Sequence, residues 1–119
     1  MQDYLFVYDY PLSQAALARA RADDSTVAER FELFHNGIEL ANGFSELTDA
    51  SQQRSRFEHD NALRRDRGLP ALDIDERLLG ALESGIGECA GVALGLDRLL
   101  MVLLELDSLD RALTFHDPA

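Results

Sequence analysis

Aromatic and β-branched residues crowd positions 4–10, YLFVYDY, and Pro11 closes the run, which predicts a strand ending at a turn. Residues 13–21 read as a short helix or loop excursion. Two β-compatible runs, AERFELFH and IELANGF, then flank Asn36-Gly37. Asn-Gly is the strongest short-range hairpin signal, because a type I′ turn needs positive φ at both central residues. Positions 47–67 are polar and largely free of Gly and Pro, with Thr48 and Asp49 available as caps. They predict a helix through Phe57, Ala62 and Leu63, stopped by Gly68 and Pro70. Leu78, Leu79 and Leu82 recur at helical spacing within positions 75–84, and Gly85 and Gly87 end that helix. A last strand at 88–94 breaks at Gly95 into LDRLLMVLLE, an apolar helix at 96–105. This order predicts an α+β fold, a mainly antiparallel sheet with flanking helices. There are no internal repeats or linkers, so residues 1–119 form one unit.

A two-residue Asn36-Gly37 loop would pair His35 with Ile38, Phe34 with Glu39, Leu33 with Leu40 and Glu32 with Ala41. Paired residues share a face, as do residues two apart on one strand. Glu32 and Glu39 are therefore expected on one face as diagonal neighbours, about 7 Å apart between backbones. Carboxylates so placed repel unless a cation or solvent screens them. Magnesium suits the pair, since it usually takes one or two carboxylates and fills its shell with water and phosphate oxygens. A plainly solvated hairpin face is the alternative. Beyond it, Asn42-Gly43-Phe44-Ser45-Glu46 offers an amide, an aromatic wall and a third carboxylate, a set that suits an ammonium-bearing ligand. The same residues also fit a capped strand-to-helix turn with Phe44 in the core.

The segment GVALGLDRLLM, residues 91–101, sets Arg98 in the first turn of an apolar helix. A cation there opposes the helix dipole and asks for an anion. Phosphate is one answer, gripped bidentately by the guanidinium. A salt bridge to Asp97 or Glu105 is the other.

Twenty-two acidic against eleven basic residues give a formal charge of −11. That charge repels a phosphate backbone and makes the chain alone a poor nucleic-acid binder. No apolar run approaches the roughly 18 to 20 residues that span a bilayer, and the first residues lack a basic signal-peptide region, so a soluble cytoplasmic protein is expected. Cys89 is the only cysteine. It excludes an internal disulfide and a cysteine-based zinc site, and is expected as a small buried hydrophobe. His35, His59 and His116 are scattered, and are expected at the surface rather than as a metal triad. No nucleophile elbow and no Walker loop is present.

Taken together, AERFELFHNGIELANGFSELTDASQQRSRFEHDN followed by GVALGLDRLLM resembles the C-terminal catalytic half of class II lysyl-tRNA synthetases, over about residues 27–115. GVALGLDRLLM looks like motif 3 of those enzymes. FVYDYPLSQAALA, GIELANGF and GVALG look most like the elongation factor P lysine ligase family, which joins lysine or β-lysine to a lysine of elongation factor P rather than to tRNA. The resemblance implies ATP and magnesium as cofactors. It assigns Glu32 and Glu39 to magnesium and the ATP phosphates, and Asn42, Phe44 and Glu46 to the lysine pocket. Arg98 falls to the γ-phosphate. Ala93 stands where tRNA-charging enzymes usually have glycine, and its methyl group would reshape the pocket floor.

Motif 1, the family's dimer interface, and motif 2, whose arginine holds the α-phosphate and substrate carboxylate, have no counterpart in the 119 residues. The chain is therefore expected to be a fragment, inactive alone, of a homodimeric parent. Exposed strand edges and apolar surface are expected with it. A non-catalytic, synthetase-derived binding module is the reading from a different class.

Overall fold

In a computed structural model describing residues 4–115, Asn36 and Gly37 adopt φ of 47° and 82°. This is the left-handed pair that a type I′ turn requires. The chain reverses there between β2 (Val27–His35) and β3 (Ile38–Ser45). β1 (Tyr4–Pro11) flanks β2, and β4 (Ala90–Leu94) flanks β3, in an antiparallel sheet of order β1-β2-β3-β4. The expected α+β class with a mainly antiparallel sheet is the observed one. The stretch after β1 holds only a 3-10 turn, Leu12–Gln14, before irregular chain.

Two register shifts interrupt the sheet. The expected pairs His35 with Ile38 and Phe34 with Glu39 form, but Leu33 then pairs with Ala41 and Glu32 with Asn42, not with Leu40 and Ala41. One residue of β3 is extra at Leu40, which is 2% exposed beside Ala41 at 6%. A β-bulge can turn two successive apolar side chains toward one face, which a regular strand cannot do. A second shift lies at Asp9, whose φ is 58°: Tyr8 pairs with Phe31, but Tyr10 pairs with Ala28.

Asp49 and Asp75 start the helices α1 (Ala50–Asp66) and α2 (Glu76–Glu83) by accepting backbone N–H groups of the first turn. Gly68 and Gly85 follow the two helix ends at φ of 71° and 89°. Arg54 clamps the helices together with a fork onto Glu76 at 2.9 and 2.6 Å. The third helix, α3 (Leu96–Leu103), is shorter than expected, and Glu105 just beyond it turns at φ 52°.

Burial follows sheet order. His35, expected at the surface, is 4% exposed, because its strand is flanked on both sides and its ring stacks 4.5 Å from that of Tyr4. Cys89, expected to be buried, is exposed, because it leads into the edge strand β4, whose five residues are all exposed. His59 is exposed, and His116 lies outside the described residues. Phe6, Tyr8, Val92 and Leu94 leave much of their surface in solvent on the two edge strands. The radius of gyration is 17.4 Å, against about 13.5 Å for a closed domain of this length.

Gly43 carries a packing constraint of its own. A Cβ there would sit 2.6 and 2.7 Å from the Phe31 ring and 3.2 Å from the Gly91 carbonyl. Gly43→Ala is expected to cost about 1–3 kcal/mol of stability by overpacking. Thermal denaturation checks this, and Phe31→Leu in the same chain should recover part of the loss. An unchanged midpoint for Gly43→Ala would contradict the contact.

Candidate active site

The face of the sheet bearing Glu32 is defined by pairing alone. Glu32 and Phe34 lie two apart on β2; Phe34 pairs with Glu39, and Glu32 with Asn42. Across the next ladder Asn42 pairs with Ala93, and Phe44 with Gly91. Glu32, Glu39, Asn42, Phe44 and Ala93 thus share one face. The bulge at Leu40 is what puts Asn42 and Phe44 there, since without it they would point the other way from Glu39.

Glu32 is not a solvated carboxylate. It is 9% exposed, accepts the Tyr10 hydroxyl on Oε2 at 2.7 Å, and accepts Arg30 Nη2 on Oε1. Arg30 already offsets the charge that proximity to Glu39 would make costly. Burial first, then the hydrogen bond and charge of Glu32, push the Tyr10 hydroxyl above its ordinary pKa, so it stays a donor at neutral pH. The Glu39 charge acts on Tyr10 in the same direction, as its place on the shared face requires. Glu39 itself makes no side-chain hydrogen bond or ion pair among the described residues.

Arg98 meets the hairpin at Glu39. Its Nη1 donates to the Glu39 carbonyl at 2.9 Å, while Gly95 N–H donates to the Leu40 carbonyl at 2.9 Å. These two bonds dock the start of α3 on β3. Among the described residues Arg98 forms no salt bridge, so neither Asp97 nor Glu105 neutralises it, and the rest of its donor fork stays available.

Asn42, Phe44 and Glu46 line a cavity of about 290 Å³ with Gly91, Val92 and Ala93. The other side of Phe44 packs on a small cluster of Ala15, Ala18 and Ala28. It is both a pocket wall and a core residue. The Glu46 backbone N–H bonds to the Cys89 carbonyl at 2.9 Å, and its Oε1 lies 3.6 Å from where a Gly91 Cβ would stand. Glu46 therefore overhangs β4 from outside the strand. A hollow of about 440 Å³ beside the hairpin turn is larger but is lined by Leu5, Val7, Phe34, Asn36 and Gly37, with no charged group.

Acids and a cavity with a carboxylate on one sheet face, and a guanidinium without a salt bridge docked on the hairpin, invite comparison with known proteins. Residues 1–118 match the family of class II tRNA synthetases (D, K and N). The chain belongs to this class II synthetase family. Among its relatives are proteins named elongation factor P–(R)-β-lysine ligase. That of Avibacterium paragallinarum is 53% identical over 109 residues, covering 92% of this chain and 34% of the relative. That of Pectobacterium carotovorum is 56% identical over 110 residues, covering 92% and 34%. That of Vibrio campbellii is 55% identical over 113 residues, covering 95% and 35%. The chain spans about a third of the length of these curated relatives.

Within this class II chain, two site-face residues escaped the sequence reading, Arg30 and Tyr10. Arg30 sits two before Glu32 in a strand whose other residues, His35 apart, are apolar or acidic, and that isolated positive charge was the available signal. Tyr10 carried none, because only the shift at Asp9 turns it to this face. No helix among the described residues is long and apolar enough to cross a membrane.

Proposed function

We propose that the chain supplies the amino-acid pocket and one end of the triphosphate site of an ATP-dependent ligase. That ligase activates lysine or β-lysine as an adenylate and passes it to a lysine of elongation factor P. One observation carries the reading: Asn42, Phe44, Glu46 and Ala93 line a cavity on the sheet face that also holds Glu32 and Glu39, and Arg98 bonds the Glu39 carbonyl. The resemblance of both sequence blocks, and the names of the relatives, agree with it.

In this reading Glu46 takes an ammonium group, Phe44 lies along the alkyl stem and Asn42 hydrogen-bonds the polar end. A substrate carboxylate oxygen attacks the α-phosphorus, the α–β bond breaks and pyrophosphate leaves. Arg98 offsets the charge that grows on pyrophosphate. The acceptor amine then attacks the acyl carbon, loses a proton and releases AMP. Glu39 and Glu32 suit magnesium by donor chemistry, although unequally. Glu39 is unpaired among the described residues, whereas each Glu32 oxygen already accepts one bond. Bound there, the ion supplies charge neutralisation at the phosphates.

The test is ATP–pyrophosphate exchange by the full-length protein with lysine or β-lysine, followed by acyl transfer to elongation factor P or to lysine tRNA. Exchange with neither amino acid sinks the reading; transfer to tRNA alone replaces the acceptor. Ala93 pairs with Asn42 and lines the cavity, and the resemblance implies a glycine at this position in most tRNA-charging enzymes. Ala93→Gly is expected to move the kcat/KM ratio toward lysine and away from β-lysine by about tenfold, the size of a one-carbon discrimination. An unchanged ratio would remove Ala93 from the specificity account.

A further inference from the structure

Arg30 is held on every side. Its side chain is 16% exposed; Nη1 donates to the Gln14 carbonyl at 2.7 Å, Nε to Asn42 Oδ1 at 3.2 Å and Nη2 to Glu32. The centre of its guanidinium also lies 4.6 Å from the centre of the Tyr10 ring. These contacts join the turn after β1 to the middle of the sheet. They also fix the plane of the fork, because a rotation that kept one bond would break the others.

A guanidinium donates and never accepts. The Asn42 atom that faces Arg30 is therefore the oxygen, and the Nδ2 group is turned elsewhere. Asn42 lines the cavity beneath Glu46, and its Nδ2 has no partner among the described residues. A free asparagine side chain presents either end of its amide to a ligand, whereas this one presents only hydrogens.

We propose that Arg30 is the positioning residue of the cavity, locking Asn42 as a hydrogen-bond donor, so that the site meets an oxygen acceptor of its ligand at Asn42 and a cation at Glu46. The proposal rests on the reading that this cavity takes the amino acid. It adds a reason for binding strength: the amide is oriented before the ligand arrives, and the entropy of orienting it is not lost on binding. Arg30 touches no substrate in this arrangement. Its effect passes through Asn42.

The experiment uses the full-length protein, with lysine, β-lysine and ATP varied separately in pyrophosphate exchange. Arg30→Lys keeps a cation for Glu32 but lacks the planar fork, so it cannot hold Asn42 and the Gln14 carbonyl together. The amino-acid KM is expected to rise about tenfold to a hundredfold, the range of one hydrogen bond to a charged group, with the KM for ATP nearly unchanged. Asn42→Asp guards against a misfolded Arg30 variant. Its carboxylate pairs with Arg30 at least as well as the amide did, but it has no donor left, so the same rise in amino-acid KM is expected. Because both changes remove one contact, the double variant should be little worse than either single one. An Asn42→Asp protein with an unchanged amino-acid KM overturns the proposal, as does an Arg30→Lys protein in which the KM for ATP rises equally. A wild-type protein that uses neither lysine nor β-lysine overturns the ligand assignment itself, and this proposal with it.

Discussion

Replacing Arg98 with alanine is expected to lower amino-acid-dependent ATP–pyrophosphate exchange by about a hundredfold to a thousandfold, the range found when one oriented donor is removed from a developing negative charge. The side chain is exposed and its hydrogen bond goes to a backbone carbonyl, that of Glu39. Surface substitutions of this kind change stability little. A large rate loss with an unmoved melting transition would therefore separate a role in chemistry from a role in folding. Arg98→Lys keeps the charge and loses the fork, and should recover only part of the rate. The change should appear in kcat and in the KM for ATP, because the proposed role puts the group at the phosphates. Exchange within a few-fold of wild type would show that Arg98 only pins α3 to the hairpin.

Glu46→Gln tests the other end of the site. The amide keeps the shape of the carboxylate and removes its charge, which would leave the proposed ligand ammonium without a counter-ion. The expected result is a rise of about a hundredfold in the KM for lysine or β-lysine, the scale of truncating one partner of a hydrogen-bonded charge pair. The backbone bond from Glu46 to Cys89 is untouched by the change, so the local fold should survive. Here the KM for ATP should stay near wild type, the reverse of the Arg98 pattern. If both KM values rise together, Glu46 is holding the strand end and not a ligand.

Local chemistry was legible in the sequence. Asn36-Gly37 made the turn it signals, Asp49 capped α1, and the glycines after α1 and α2 ended those helices, because each signal acts over a few residues. Glu32 and Glu39 share a face because the pair linking them, Phe34 with Glu39, precedes the shift in β3. Past that point a strict period of two fails. The clue was Leu40-Ala41, two neighbours that both favour burial and that a regular strand would send to opposite faces. The burial of His35 and the exposure of Cys89 were out of reach, since each depends on which strand lies at the edge and that order is set by long-range pairing. The hold of Tyr10 on Glu32 joins residues 22 positions apart, across a ladder that no local pattern announces.

The extra residue at Leu40 makes chain length, more than chain identity, the vulnerable property of this strand. Exchanging one pocket side chain for another alters a single contact and leaves its neighbours in place. Losing one residue between Glu39 and Asn42 would turn the strand beyond it by half a period, sending Asn42 and Phe44 to the opposite face of the sheet and bringing Gly43 and Ser45 to the face that bears Glu39. The amino-acid composition would hardly differ, and the hairpin turn would still form. Relatives that diverge freely in sequence here should thus share an invariant count of residues between their two acids and the asparagine, a constraint on insertions and deletions that no single side chain imposes.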